Sequence, residues 1–265
     1  MTLRRDVENR IALFGDLSSI LGAMRSFALA ELHRIGNRES AQHALLDSLS
    51  ETLDGVASLL PAPAPARTDV WLLFGSSRGF CGSFNEDVMR AWQDAGAPQP
   101  AIVLGERLAS LIPSGARPIP VPGAEGSADA AQTIGDLLEA LREARARAGD
   151  DSGIVVCLRE ESEVRIHRLL PLPPPAKAGG PAPMTYEAPL AVALAVAEHY
   201  LFHRLLALLL RAIRVENRMR LVQMENALRH LEQGGEDLLR QRNRLRQEEI
   251  IEEIELTTRG KSGMH

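Results

Sequence analysis

Aromatic residues make up only 4% of this 265-residue chain. A core so short of large rings has to be filled by small and branched aliphatics, which suits helix-rich packing. Two cysteines, Cys81 and Cys157, give no disulfide framework and no metal-ligand spacing. Reduced thiols of a cytosolic protein are the simpler reading, with a single disulfide left open. Lysine is nearly missing: Lys177 and Lys261 stand among many arginines. The net charge of −5 is too mild to mark a nucleic-acid binder. Unbroken apolar runs are short as well. Runs such as Leu205 to Leu210 fall far below the ~20 residues that span a bilayer. The opening MTLRRDVENRIALFGDL has no signal-type apolar core. The chain is therefore expected not to cross a membrane itself. At 45% apolar residues, it is not expected to be disordered either.

Proline is also missing from the stretch from about Leu190 to Thr258. Leu, Ala, Arg, Glu, Gln and Met dominate it, and Gly234 and Gly235 are its only weak points for a helix. At ~1.5 Å per residue such a helix is roughly 100 Å long. It must lie against another long helix or pass through a partner. Leu3 to Leu59 reads as a second long helix. Val7, Ile11, Phe14, Leu17, Leu21, Met24, Ala28, Leu32 and Ile35 lie along one seam, which Leu46, Leu49, Leu53 and Val56 resume. Gly15, Gly22 and Gly36 each cost it about 1 kcal/mol relative to Ala, and a break near Gly36-Asn37 is left open. The run Pro61 to Ala66 ends it. In the last helix Leu201, Leu205, Leu208, Ala212, Val215, Met219 and Val222 form a seam. It shifts to Met224, Leu228, Leu231, Gly235, Leu238 and Leu245, a stutter in the repeat.

Between the two helices the pattern changes. DVWLLFG (Asp69 to Gly75), AIVLG (Ala101 to Gly105), GIVVCLRE (Gly153 to Glu160) and EVRIHRLLP (Glu163 to Pro171) read as strands. ARPIPV offers at most an edge strand limited by proline. ERLASLI is helical, as is Ser127 to Ala148, where Ser127 is the candidate cap. Strands alternating with helices predict a parallel sheet covered by helices. The expected fold class is therefore α/β: an antiparallel coiled coil of the first and last helices with a Rossmann-like α/β domain inserted. Its expected parts are a helix over 1–60, the α/β domain over 68–171, a Pro-rich linker over 172–189 and the long helix over 190–260.

Chemistry is sparse. GSSRGFCGSFN (Gly75 to Asn85) sits after a strand and before a helix, where a phosphate loop would sit. It lacks the GK[ST] ending, and Gly75, Gly79 and Gly82 do not match GxGxxG. A tight turn with Cys81 packed inside is the simpler reading. Gly260-Lys261-Ser262 imitates a Walker ending by chance, since Glu255 stands where the earlier glycine belongs. His199 and His203 are one helical turn apart, but no HExxH pattern surrounds them, so a packed or solvated pair outweighs a metal site. Arg240, Arg242, Arg244 and Arg246 spread around a helix and lack interleaved aromatics, which makes a poor nucleic-acid face. No catalytic constellation and no cofactor site emerges.

Three stretches resemble the gamma subunits of F-type ATP synthases. SSRGFCGSFN resembles that family's S-[TD]-[DR]-R-G-L-C-G-[GA]-[LF]-N signature through Arg78, Gly79, Cys81, Gly82 and Asn85, with Phe80 and Ser83 as variants. ENRMRLVQMENA agrees with E-x-x-x-R-M-x-A-M-x-x-A at Glu216, Arg220, Met224 and Ala227. NRLRQEEIIEEI agrees with N-x-x-R-Q-x-x-I-T-x-E-[IL] at Asn243, Arg246, Gln247, Ile250, Glu253 and Ile254. The first helix follows the family more loosely, through Ile11, Ile20, Ala23 and Met24. Gly22 and Glu31 stand where relatives usually carry lysines, and the tip TTRGKSGMH replaces an apolar one.

The resemblance implies a central-stalk rotor subunit with no active site of its own. Its coiled coil would stand inside a hexamer of alpha and beta subunits, which carry out the ATP chemistry. Its α/β domain would rest on the membrane c-ring and an epsilon subunit, on the cytoplasmic face of the bacterial inner membrane. Ion flow through the ring would drive ATP synthesis, or hydrolysis would drive the reverse. Arg246 and Gln247 align with positions that contact beta subunits, and Met24 would lie where the two helices meet near the foot. The competing readings are a small α/β nucleotide-binding enzyme with a coiled-coil hairpin, and the central stalk or an adaptor of another rotary ATPase.

Overall fold

The computed structural model describes residues 2–62, 66–113, 115–149, 151–174 and 184–262. The centre of the first proline run, the middle of the expected Pro-rich linker and the last three residues of the polar tip lie outside the described residues. Two compact units make up the chain: Ala28–Arg220, and Met1–Phe27 together with Leu221–His265.

Two helices contribute to both units, α1 (Thr2–Val56) and α5 (Pro189–Ser262). α1 runs unbroken through Gly36-Asn37 and ends in a short 3-10 turn, Ala57–Leu59. The remaining elements follow in the order β1 (Asp69–Phe74), α2 (Phe84–Asp94), β2 (Ala101–Leu104), α3 (Glu106–Leu111), β3 (Ile119–Val121), α4 (Ala130–Ala148), β4 (Gly153–Arg159) and β5 (Val164–Leu170).

The sheet belongs to the Ala28–Arg220 unit and has the order β3-β2-β1-β4-β5. Four strands are parallel, but β5 returns antiparallel to β4. This departs from the all-parallel expectation for a simple reason. Only Glu160 to Glu163 join β4 to β5, enough for a hairpin and far too few for a crossover. Alternation along the strands splits the core in two. Val70, Leu72, Phe74, Ile102, Leu104, Ile154, Val156 and Leu158 pack toward α4 and toward Leu205, Leu208 and Ile213 of α5. Leu73, Val103 and Cys157 pack on the other face against Val88 and Trp92 of α2 and Leu108 of α3. The winding accounts for this division. β1 to β3 steps one way across the sheet with α2 and α3 on one face. The chain then reverses to β4, and a right-handed crossover must put α4 on the opposite face. β3 is an edge strand that accommodates Pro120, as its proline content requires.

α4 begins at Ala130, not at Ser127, and Asp129 at its N-cap makes no side-chain capping bond. Ser127 is instead held by α1, as described below. Within the same unit the ends of α1 and α5 pair antiparallel: Leu53 and Val56 pack with Ala193 and Ala197.

In the other unit α1 and α5 also run antiparallel. Arg4 bonds Glu249 at 2.8 Å, Arg25 lies 3.6 Å from Glu225, and Phe14 faces Gly234. The α5 seam here follows a heptad rhythm through Met224, Leu228, Leu231, Gly235, Leu238 and Leu245, all buried or half-buried. Two expected seam residues fall outside it: Leu17 is 39% exposed and Val222 is 50% exposed. Leu13, Leu17, Ile20 and Phe27 form a second apolar stripe on the outer surface of α1. Averaged over 18 residues, mean hydropathy reaches 1.2 in α1 and 1.4 in α5. By length and composition alone both helices would be apolar enough for a span, which the short unbroken runs concealed.

Candidate functional site

The sequence motifs around Arg78 and around Glu216 are far apart in the chain, yet they meet inside the Ala28–Arg220 unit. β1 ends at Phe74 and delivers the loop Gly75 to Ser83, and α2 then starts with Asn85 in its first turn. Asn85 is buried and closes the loop on itself. Its Oδ1 accepts the Ser76 N–H at 2.9 Å, and its Nδ2 donates to Ser76 Oγ at 2.8 Å. Ser76 Oγ in turn donates to the Arg78 carbonyl at 2.9 Å and lies 3.4 Å from Cys81 Sγ. Gly82 has φ of +59°, which suits glycine. Phe80 has φ of +60°, an uncommon conformation for a bulky residue, and its ring is 61% exposed.

α5 supplies the other half. Arg220 Nε donates to the Gly79 carbonyl at 3.1 Å. One of its terminal nitrogens reaches Asn217 Oδ1 at 3.0 Å, and the other is paired with the Glu216 carboxylate one turn back. Glu216, Asn217 and Arg220 are each only 6% exposed. Burial pushes the Glu216 carboxyl up from its ordinary value, against the pull of Arg220. Arg78 points outward and pairs with Glu125 at 2.7 Å. Burial likewise raises the Cys81 thiol, with the Ser76 bond opposing it. Cys157 is pushed up to about 12 by burial alone. Neither thiol has the depressed pKa of a reactive nucleophile.

The arrangement is a fastening. The Ser76 N–H, which a phosphate loop would leave free for its ligand, is taken by Asn85. The tight turn with Cys81 packed inside is present, with Cys81 4% exposed. Among the described residues no group of three His, Cys, Asp or Glu side chains could hold a metal ion. His203 is engaged by Gln42 through its ring (3.0 Å) and its carbonyl (2.9 Å). Its pKa is lowered by burial and by neighbouring His199.

A family model described as ATP synthase matches residues 4–258. The chain belongs to this family, the gamma subunits. Solved structures share its fold at low identity. A chain from the Euglena gracilis mitochondrial ATP synthase (OSCP/F1/c-ring, rotational state 3) is 17% identical with a TM-score of 0.70, covering 100% of this chain and 95% of that one. A rotor chain of the Euglena enzyme in rotational state 1 is 16% identical at TM-score 0.63, covering 94% and 99%. One from the Tetrahymena thermophila central stalk and c-ring is 16% identical at 0.56, covering 78% and 99%.

Within this gamma subunit the motif residues fall into two groups. Arg78, Gly79, Cys81, Gly82, Asn85, Glu216 and Arg220 come together as described. Met24, Met224, Asn243, Arg246, Gln247 and Glu253 lie in the other unit. There Met224 is buried, Met24 half-buried, and Asn243, Arg246, Gln247 and Glu253 exposed. Sequence reasoning missed Ser76 and Asn217, which complete the fastening. It also missed a second one. Glu31 on α1 accepts the Ser127 N–H at 2.5 Å, and Arg38 donates to the Ser127 carbonyl. The only hint was a faint one: Glu31 falls between the seam residues Ala28 and Leu32.

Proposed function

We propose that this gamma subunit is the central shaft of a rotary ATP synthase, coupling ion flow through a membrane ring to ATP synthesis or hydrolysis on partner subunits. One observation carries the reading. Helices of 55 and 74 residues pair antiparallel around an inserted α/β domain, in a chain matching its family from 4 to 258. A paired rod resists twisting and offers a different set of side chains at every angle. The proposed partners are the alpha and beta subunits of a catalytic hexamer, an epsilon subunit and the c-ring. ATP chemistry belongs to the hexamer, and this chain is a non-catalytic subunit, peripheral on the cytoplasmic face of a bacterial inner membrane. The exposed apolar stripe Leu13, Leu17, Ile20 and Phe27 supports enclosure of the helices by a partner. Exposed Asn243, Arg246, Gln247 and Glu253 are the proposed polar contacts with the hexamer, and Met24 a helix-pairing residue. The proposed divisions are 1–60, 68–171, 172–189 and 190–260.

Co-expression with the alpha and beta subunits tests this. The expected result is a complex of three alpha, three beta and one copy of this chain whose ATPase depends on it. A chain that stays apart from both defeats the reading. Micromolar binding of ATP or NAD by the isolated chain would favour a small nucleotide-binding enzyme instead.

A further inference from the structure

Two clamps hold loops of the α/β domain to the long helices, and each grips main-chain atoms. Glu31 and Arg38 are two helical turns apart and so share a face of α1. Between them they take both backbone groups of Ser127 in the β3–α4 loop. Arg34 pairs with the other Glu31 oxygen at 2.9 Å. Gly126 leaves room for the carboxylate, since a Cβ there would stand 3.1 Å from Glu31 Oε1. On α5, Arg220 grips the Gly79 carbonyl of the β1–α2 loop, steadied by Glu216 and Asn217. Both gripped loops follow the carboxyl ends of parallel strands. Arg220 is the last α5 residue of this compact unit, and Glu31 lies just inside its first, Ala28.

We propose that the two clamps form a torque-bearing joint that fixes the angle of the α/β domain about the helix pair, with Glu31, Arg38 and Arg220 as its positioning residues. The proposal rests on the rotor reading above. The apolar contacts of Leu205, Leu208 and Ile213 oppose separation, but the burial that drives them is non-directional. Hydrogen bonds from a planar guanidinium are angular, so turning the domain stretches them at once. One clamp on each helix prevents swivelling about either helix alone. Losing a charged bond of this kind makes the disengaged joint roughly ten- to a hundredfold more populated.

The test uses the whole complex in vesicles, with Arg38→Met, Arg220→Lys and both together. ATP-driven ion uptake is divided by ATP hydrolysed in the same vesicles. Arg38 is exposed, so Arg38→Met leaves the fold in place. The ratio is expected to fall in each variant and furthest in the pair, with subunit composition unchanged. Glu31→Gln, which keeps an oxygen for the Ser127 N–H, is expected to stay near the parent ratio. A merely structural role would shift melting or assembly and leave the ratio alone. Parent-level ratios in Arg38→Met and in the pair overturn the joint. If Arg220→Lys fails to assemble, Arg38→Met alone decides. Failure of the parent chain to assemble defeats the rotor reading itself, and the two failures are thus distinct.

Discussion

The glycine pair in α5 gives the sharpest test of how the two helices register. A Cβ built on Gly235 meets nothing within 4 Å, whereas one on Gly234 would stand 2.8 Å from Phe14 Cε2. Replacing an interior helix glycine by alanine gains about 1 kcal/mol from backbone propensity alone. Gly235→Ala should therefore stabilise the unit by about that amount. Gly234→Ala gains the same propensity but must displace the Phe14 ring, and overpacking costs about 1–3 kcal/mol. Its net effect should run from neutral to about 2 kcal/mol destabilising. Because the two compact units need not unfold together, the readout is native-state hydrogen exchange at α5 amides near residue 235. Gly234→Ala, Phe14→Leu and their double variant complete the comparison. The clash should vanish when the ring is shortened, giving a coupling of about 1 kcal/mol between the sites. If Gly234→Ala stabilises as much as Gly235→Ala, Phe14 does not sit on Gly234 and the pairing described for this unit is wrong.

Three further outcomes follow from other parts of the chain. Burial opposes ionisation of Glu160, but bonds from Arg211 and His167 outweigh it and hold its pKa below the ordinary value. A depressed folded pKa contributes stability above the unfolded value of about 4.3, and this is lost as pH falls through the folded value. Glu160→Gln should therefore flatten the acid limb of a stability–pH curve, and an unchanged limb would refute the assignment. Cys157 and Cys81, at 0% and 4% exposure with raised pKa values, should resist alkylation in the native chain and react on unfolding. Rapid native labelling, followed by mass spectrometry, would contradict their burial. Arg246→Ala with Gln247→Ala should impair ATP turnover of the assembled complex while circular dichroism stays unchanged. Full turnover would show that these exposed residues make no functional contact.

Much of the fold was legible because the periodicities are long. The proline-free last quarter, the seam from Val7 to Val56 and the apolar runs at β1, β2 and β4 each pointed to one element. The finer errors have separate causes. α1 carries two apolar stripes side by side, and steps of three and four residues can move from one to the other. Leu17 thus looked like a seam residue although it belongs with Leu13 and Ile20 on the outer surface. Ser127 read as a cap because a serine before a helix usually is one. Its backbone groups are claimed instead by Glu31 and Arg38, a contact across nearly a hundred positions that local patterns do not record. The site was half visible. Its two motifs stood out separately, but only the packing of α5 along the sheet brings Arg220 to Gly79.

The buried pair Glu216–Arg220 asks why a helix should carry two charges where leucines would pack. Desolvating an ion pair usually cancels its attraction, so such a pair is weak evidence of stability. Removing one partner is another matter. Glu216→Met alone leaves Arg220 buried and uncompensated, and should cost about 3–5 kcal/mol. Glu216→Met with Arg220→Met removes both charges and should restore stability to near the parent, or above it. What the double variant cannot restore is the hold on Gly79. Phe80, next in the chain, sits at φ +60°, a conformation that costs about 1–3 kcal/mol and persists only when its surroundings impose it. With the Arg220 bond gone, the bonded amides of this turn, Ser76 to Asn85 and Phe84 to the Cys81 carbonyl, should exchange faster even though the chain is as stable as before. If the double variant is as unstable as the single one, the pair holds the unit together. If it is stable and the loop stays protected, Arg220 does not hold the turn. Stability with a loosened loop is the outcome that makes the ion pair a device for geometry.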